Sequence, residues 1–257
     1  MMKTAFDKVI DAIRQQGYHN HRRQEHSDLL GEAIWEDLLA RSPAVRADFE
    51  AGVIQRWLNR GAPGGRERRL DLFVGEPDPR TGEPDITRLR IGIEHKSVIT
   101  AHRNRTSRYD DLHETLGAIH AVRQEAIVVA TVLVGVAERV LNVPDRVAAM
   151  AQDFEHAILP RLSSGDETLW THFHYAVSEN RPNDPERTLS QFRKLPTRRA
   201  AHTHVEGFDY IALIPVFVDN VHPPRIERTN SLGIDVDREY SAMLDAIATA
   251  YAARWHT

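Results

Sequence analysis

The chain reads as an α/β protein, a central mixed β-sheet covered by helices, and three features lead there. Residues 69–104, RLDLFVGEPDPRTGEPDITRLRIGIEHKSVITAHRN, hold two apolar runs separated by a Pro- and Gly-rich turn, the pattern of a β-hairpin. Residues 126–137, AIVVATVLVGVA, are apolar on both faces, as expected of a buried central strand. Segments 3–16, 27–41 and 237–254 carry apolar stripes at helical spacing.

The hairpin has an internal logic. If it closes around Thr81-Gly82-Glu83, Asp71 falls opposite Glu94, Leu72 opposite Ile93 and Val74 opposite Ile91. Side chains alternate along a strand, so Leu72, Val74, Ile91 and Ile93 share the core face. Asp71, Glu94 and Lys96 share the other. Opposed residues lie roughly 5 Å apart at Cβ, close enough for two carboxylates to hold one hard divalent cation. A lysine beside them can hold a phosphate or a water. Asp85 is the competing aspartate. Only the eight residues 86–93 separate it from Glu94, and it sits among turn residues with no strand of its own, so Asp71 is preferred.

Asp71 opening an apolar strand, followed by Glu94-His95-Lys96 closing the next, resembles the PD-(D/E)xK nuclease superfamily. The literal proline before the aspartate is replaced by Leu70. The resemblance covers about residues 26–135 by element order and implies a restriction-endonuclease-like fold, a central mixed β-sheet flanked by helices. On that basis the chain is one nuclease domain, 1–257, with core 26–135 and a C-terminal elaboration 136–257. The resemblance implies a metal-dependent DNA endonuclease of the restriction or phage-defence sort. Asp71, Glu94 and Lys96 are its catalytic residues. Mg²⁺, with Mn²⁺ able to substitute, is held by Asp71, Glu94 and the backbone carbonyl of His95. The first core helix of the fold often lends a further carboxylate, here Glu32, with Glu36 one turn on as the alternative. Lys96 orients the water or the phosphate. Double-strand cleavage needs two such sites, which implies a homodimer. A plain salt bridge from Lys96 to Asp71 or Glu94 is the structural alternative.

Three basic groups accompany the motif: Arg56, Arg60, Arg66, Arg68 and Arg69 before the hairpin; Arg103, Arg105 and Arg108 after it; Arg193, Lys194, Arg198 and Arg199 later. Arg69, Arg103, Arg105 and Arg108 are the candidates for phosphate contacts. The formal net charge of −4 argues against binding nucleic acid by bulk charge, but it leaves local contacts open.

The remaining segments complete the expectation. Residues 3–16 form a helix buried through Phe6, Val9, Ile10 and Ile13, and residues 17–26 form a solvated loop bearing His19, His21 and His26. Ser27 or Asp28 caps a helix reaching Arg41, with Leu30, Ile34 and Leu38 inside. A short helix covers 45–59, and another follows the motif to about Gln124. A helix at 145–160 is stopped by Pro160. Residues 171–177 read as a strand placing His172 and His174 on one face, and His202 and His204 form a second pair. Together they raise a zinc-dependent hydrolase as a rival, beside an inactive or regulatory nucleic-acid-binding module on the same fold. Residues 178–201 read as a long connection. Residues 208–218 form a buried strand, and the last helix buries Tyr240, Met243, Leu244, Ile247 and Tyr251.

With no cysteine, disulfides and thiolate chemistry are excluded. No apolar run is long enough for a bilayer-spanning helix, and the amphipathic first helix, with Asp7 and Asp11, does not read as a signal peptide. A cytoplasmic location is the expectation.

Overall fold

A computed structural model describes residues 3–16, 24–61, 69–99, 102–143, 154–200 and 203–256. Its centre is a six-stranded mixed sheet in the order β1-β2-β3-β4-β7-β8. Strands β1 (Gln55–Gly61), β2 (Arg69–Pro77) and β3 (Pro84–Val98) form an antiparallel meander. β4 (Ile127–Gly135) runs parallel to β3, β7 (Tyr210–Phe217) parallel to β4, and the short β8 (Arg225–Ile226) antiparallel to β7. Helices α1 (Ala5–Gln16), α2 (Gln24–Arg41), α3 (Pro43–Glu50) and α8 (Val236–Trp255) pack together on one side. α4 (Arg105–His120) and α7 (Asp184–Phe192) cover β3 and β4 on the other. One apolar cluster runs through all of these elements, from Ala5 to Tyr251. Within the stretch 136–257, β7 and α8 contribute to this main core. A smaller cluster joins β5 (Arg139–Leu141), β6 (Val177–Glu179), α5 (Leu159–Ser163) and α6 (Leu169–His172) through Leu141, Leu162, Leu169 and Phe173.

The hairpin forms in the expected register, Leu72 against Ile93 and Val74 against Ile91. Its turn is closed by Asp78, whose carboxylate accepts the N–H groups of Arg80 and Thr81, and by Gly82 at φ 73°. Both faces are buried, since Phe73 and Gly92 lie inside as well as Leu72 and Ile93. Register shifts on either side of Gly75 mark bulges, which re-aim side chains. Leu89 lies on the side of Gly92, and Arg90 reaches Asp48, Glu76 and the Tyr251 hydroxyl.

Several expectations are corrected. The helix predicted over 45–59 ends at Glu50, and Gly52 at φ 72° precedes a strand. Trp57 packs edge-on to Phe73 at 5.6 Å and Leu58 pairs with Leu72, so cross-strand partners decide the conformation. Asp85 is not in the turn. It lies on β3, which begins at Pro84. It is still far from Glu94, because nine steps along one strand at about 3.3 Å each place them about 30 Å apart. Residues 171–177 are not a strand. Leu169, Phe173 and Ala176 are the buried positions, a helical spacing, and only Val177 enters β6, so His172 and His174 do not form a strand pair. Residues 178–201 contain α7, with Pro185, Thr188, Leu189 and Phe192 buried. Pro160 sits in the first turn of α5 rather than ending a helix. α2 begins three residues before Ser27 and includes a buried His26. α4 stops at His120. His19, His21, His202 and most of the 145–160 helix lie outside the described residues. Among the described residues no helix is long and apolar enough to cross a membrane.

A buried ionic junction ties the far side of the sheet together. Asp209 accepts the Val128 N–H at the start of β4 (3.0 Å) and the guanidinium of Arg198 (3.1 Å), and it also pairs with Arg254 of α8. All three side chains are almost wholly buried. Removing one partner from such a cluster strands the others. Asp209→Ala is therefore expected to cost about 3–5 kcal/mol, read as a lower urea midpoint, whereas replacing an exposed carboxylate such as Glu50 leaves the midpoint within about 0.5 kcal/mol of wild type.

Candidate active site

The site lies where β3 outruns β2. The β2 pairing reaches Ile93, while the β4 pairing continues to Val98. The next N–H on the β2 side belongs to His95, and a buried main-chain donor has to be satisfied. Asp71 does this: its Oδ2 accepts the His95 N–H at 2.6 Å. Its Oδ1 accepts the hydroxyl of Ser27, from the first turns of α2. Both oxygens of Asp71 are thus held by donors on two different elements. In a strand, a residue's N–H and C=O are directed at the same neighbour, so the His95 carbonyl is also directed toward the Asp71 edge.

Glu94 and Lys96 flank this point. Glu94 is buried at 7% exposure. Its Oε1 accepts a bond from Lys96 Nζ, and its Oε2 is buried without a hydrogen-bond partner. Burial pushes the Glu94 carboxyl up to about 7; the Lys96 ammonium pulls it down, and the negative charge of Asp71 adds to the rise. Asp111 of α4 adds to the rise in the same direction, and the paired register itself ends at Leu72–Ile93. Lys96 pairs with Glu94, one of the two partners expected for a salt bridge.

His95 turns its ring to Thr131, its register partner on β4, with Nδ1 and Oγ1 2.7 Å apart. Burial holds this imidazole below its ordinary pKa, so it is neutral at pH 7. It borders a cavity of about 190 Å³ between α1, α2 and the strand ends, with Ile13, Ser27, Leu30 and Asp71 also on its wall.

The α2 carboxylates go elsewhere. Glu32 pairs with Arg56 of β1 at 2.5 Å, and Glu36 with Lys8 of α1 at 3.0 Å. Neither lines the cavity at Asp71. Asp28, on the same face of α2 as Glu32, accepts from Asn59, a left-handed residue of β1 at φ 51°. The helix that the resemblance expects to lend a carboxylate instead lends Ser27. That residue was legible only as a helix cap. Because the helix starts earlier, its hydroxyl is released from capping.

The basic candidates are spread. Arg69 opens β2 and is exposed, and Arg103 is exposed in the turn before α4. Arg105 bonds the His102 carbonyl at 3.2 Å and lies 3.7 Å from Asp184. Arg108 pairs with Asp111 at 3.2 Å. Arg198 is consumed by the buried junction.

Among the described residues no three His, Asp or Glu side chains converge as a metal-holding group. The groups that the resemblance would assign to a metal, two carboxylates and a main-chain carbonyl, are all oxygen donors, which suit a hard cation with several waters retained. The orphaned Glu94 Oε2 is the feature that fits such a charge. In comparisons with known proteins, no family model, no curated protein and no solved structure matches the chain.

The raised Glu94 pKa has a definite sign. The folded chain holds this proton up to about 7, whereas the unfolded chain releases it near 4.5. Its contribution to stability is full below the lower value and is lost as pH rises through the window between the two. Thermal midpoints of metal-free protein are expected to fall across that window. Glu94→Gln, which cannot ionise, is expected to flatten the fall. An unchanged slope in the variant would assign the titration to other groups.

Proposed function

We propose that the chain is a metal-dependent DNA endonuclease of the PD-(D/E)xK kind, acting in restriction or phage defence. The observation that carries this reading is the joint placement of Asp71, Glu94 and Lys96 at one edge of β3, with Asp71 locked onto the His95 N–H. The reading is supported further by a helix, α2, before the hairpin and by α4 and the parallel strand β4 after it.

Mg²⁺, held by Asp71, Glu94 and the His95 carbonyl, would supply charge neutralisation at the phosphate and acidify a bound water. The chain's own groups do the rest. Ser27 and the His95 N–H fix the Asp71 carboxylate in one orientation. Glu94 must lose its proton to serve as a ligand, so metal loading competes with protonation near neutral pH. Lys96, anchored by Glu94, presents an ammonium to the attacking water or to a phosphate oxygen. Arg69 and Arg103 are exposed cations flanking the motif, where they can meet the DNA backbone. Cutting both strands would use the sites of two copies.

Plasmid incubation with Mg²⁺, Mn²⁺ or EDTA tests the reading. Wild type and Asp85→Ala are expected to cut with either metal and not in EDTA. Asp71→Ala and Lys96→Ala are expected to lose about 10²–10⁴ in rate. Discrete fragments identify a sequence-specific enzyme, and a smear a nonspecific one. A Lys96→Ala variant as fast as wild type would refute the site.

A further inference from the structure

α7 was not expected from the sequence, and it creates a groove. Its exposed face and the first turns of α4 border an open surface cleft of about 870 Å³. The α7 residues on the wall follow the helical repeat: Asn183, Glu186 and Arg187, then Ser190, Gln191 and Lys194. That is one continuous stripe along the helix and just beyond it. α4 contributes Arg105 and Tyr109 to the opposite wall.

The chemistry of the lining is uneven. Three cations, Arg105, Arg187 and Lys194, face a single carboxylate, Glu186, in a chain whose formal net charge is −4. Arg187, Ser190 and Lys194 are exposed. The neutral members, Asn183, Ser190, Gln191 and Tyr109, are amide and hydroxyl groups. Apart from Glu186, the lining is drawn from the side-chain types that contact the sugar–phosphate backbone of nucleic acids, namely Arg, Lys, Ser, Asn, Gln and Tyr. Arg187 and Lys194 lie seven residues apart, about 10 Å along a helix axis, so the positive charge is extended along the groove and not focused on one small anion. The groove lies on one side of the strand that carries the candidate site: α4, which forms one wall, packs against β3. The clamp is firm: the buried ring of His102, between β3 and α4, bonds Thr188 of α7 at 2.7 Å and the Gly135 carbonyl at 2.9 Å.

We infer that the α4–α7 groove binds a nucleic-acid strand through its phosphate backbone, sequence-independently, alongside the β3 edge. The inference rests on the nuclease reading for the polymer's class. Its own content is the groove, with Arg187 and Lys194 as the backbone contacts.

Binding and hydrolysis separate in the test. Fluorescence anisotropy in EDTA would follow labelled single-stranded DNA, single-stranded RNA and duplex DNA of one sequence across a salt series. Wild type, Arg187→Ala/Lys194→Ala and Arg80→Ala would be compared. The double variant is expected to bind at least tenfold more weakly at 0.1 M salt. Its log K against log salt slope is expected to be smaller by about two, one per lost phosphate contact. Arg80→Ala, an exposed cation in the β2–β3 turn and outside the groove, is expected to keep the wild-type slope. Both substituted side chains are exposed, so circular dichroism and melting should be unchanged. The preferred polymer identifies DNA or RNA as the occupant. Equal affinity and slope in wild type and the double variant would overturn the inference, as would no binding of any polymer by wild type, which would leave an acidic protein as the groove's partner. If binding behaves as expected but no metal supports cleavage, the groove stands and the nuclease reading falls.

Discussion

A single mismatch in strand length organises the site. β3 is held by β4 as far as Val98 but by β2 only as far as Ile93. Beyond that point one edge of β3 needs another partner, and leaving the His95 N–H unpaired and buried would cost about 1–3 kcal/mol. The carboxylate of Asp71 takes the place of the missing strand. This satisfies the backbone and brings a negative charge to the two residues flanking His95. The Glu-His-Lys triplet is therefore more than a string of polar letters at a strand end, because the geometry of the ladder draws an acid to it.

Three other ionic clusters among the described residues are compensated. Asp209 is met by Arg198 and Arg254 and by a main-chain donor. Arg90 is met by Asp48, Glu76 and Tyr251, with the Trp255 ring 5.3 Å from the guanidinium. Arg228 is met by Asp7 and Asp237. Glu94 differs: one oxygen is bonded to Lys96 and the other has no hydrogen-bond partner. A buried carboxylate in that state stays protonated or takes up a cation, and its raised pKa expresses the first choice. Perturbation by burial together with named charge partners is what functional carboxylates show. Beside these three complete clusters among the described residues, the incomplete one at the β3 edge is informative.

The hairpin was legible because three signals agreed: alternation, a Gly-containing turn and apolar partners in matching register. Asp71, Glu94 and Lys96 were named as candidates from that register, whose observed pairs end at Leu72–Ile93. What escaped depends on contacts that sequence spacing does not encode. Gln55-Arg56-Trp57-Leu58 extends the helical pattern of α3 on paper, and only pairing with Leu72 and Phe73 makes it a strand. Thr171–Val177 alternates by letter, yet Phe173 turns inward with Leu169 at helical spacing. Glu32 has the right residue type on the right helix, but Arg56 from an unforeseen strand claims it. Ser27 carries no signal as a partner of Asp71, because its role arises from how α2 docks on β1 and β2. The face of α7 was likewise hidden within a polar stretch broken by prolines.

These corrections alter the view of how the site is supported. A core at 26–135 with an appended C-terminal part would make the β3 edge self-sufficient. Instead β4, which sets the position of Glu94, His95 and Lys96 through its parallel register, is paired on its other edge by β7 and anchored at its start by Asp209. The guanidiniums that neutralise Asp209 come from residues 198 and 254. Parallel strands of this kind are stable when both faces are covered, and α8 from the C-terminal segment supplies part of that cover. A carboxylate at position 94 is therefore held in place by charges contributed more than a hundred residues later. The β3 edge and the last helix share one core, so loosening the ionic junction at the start of β4 would be transmitted along β4 to the strand that carries the Glu-His-Lys triplet.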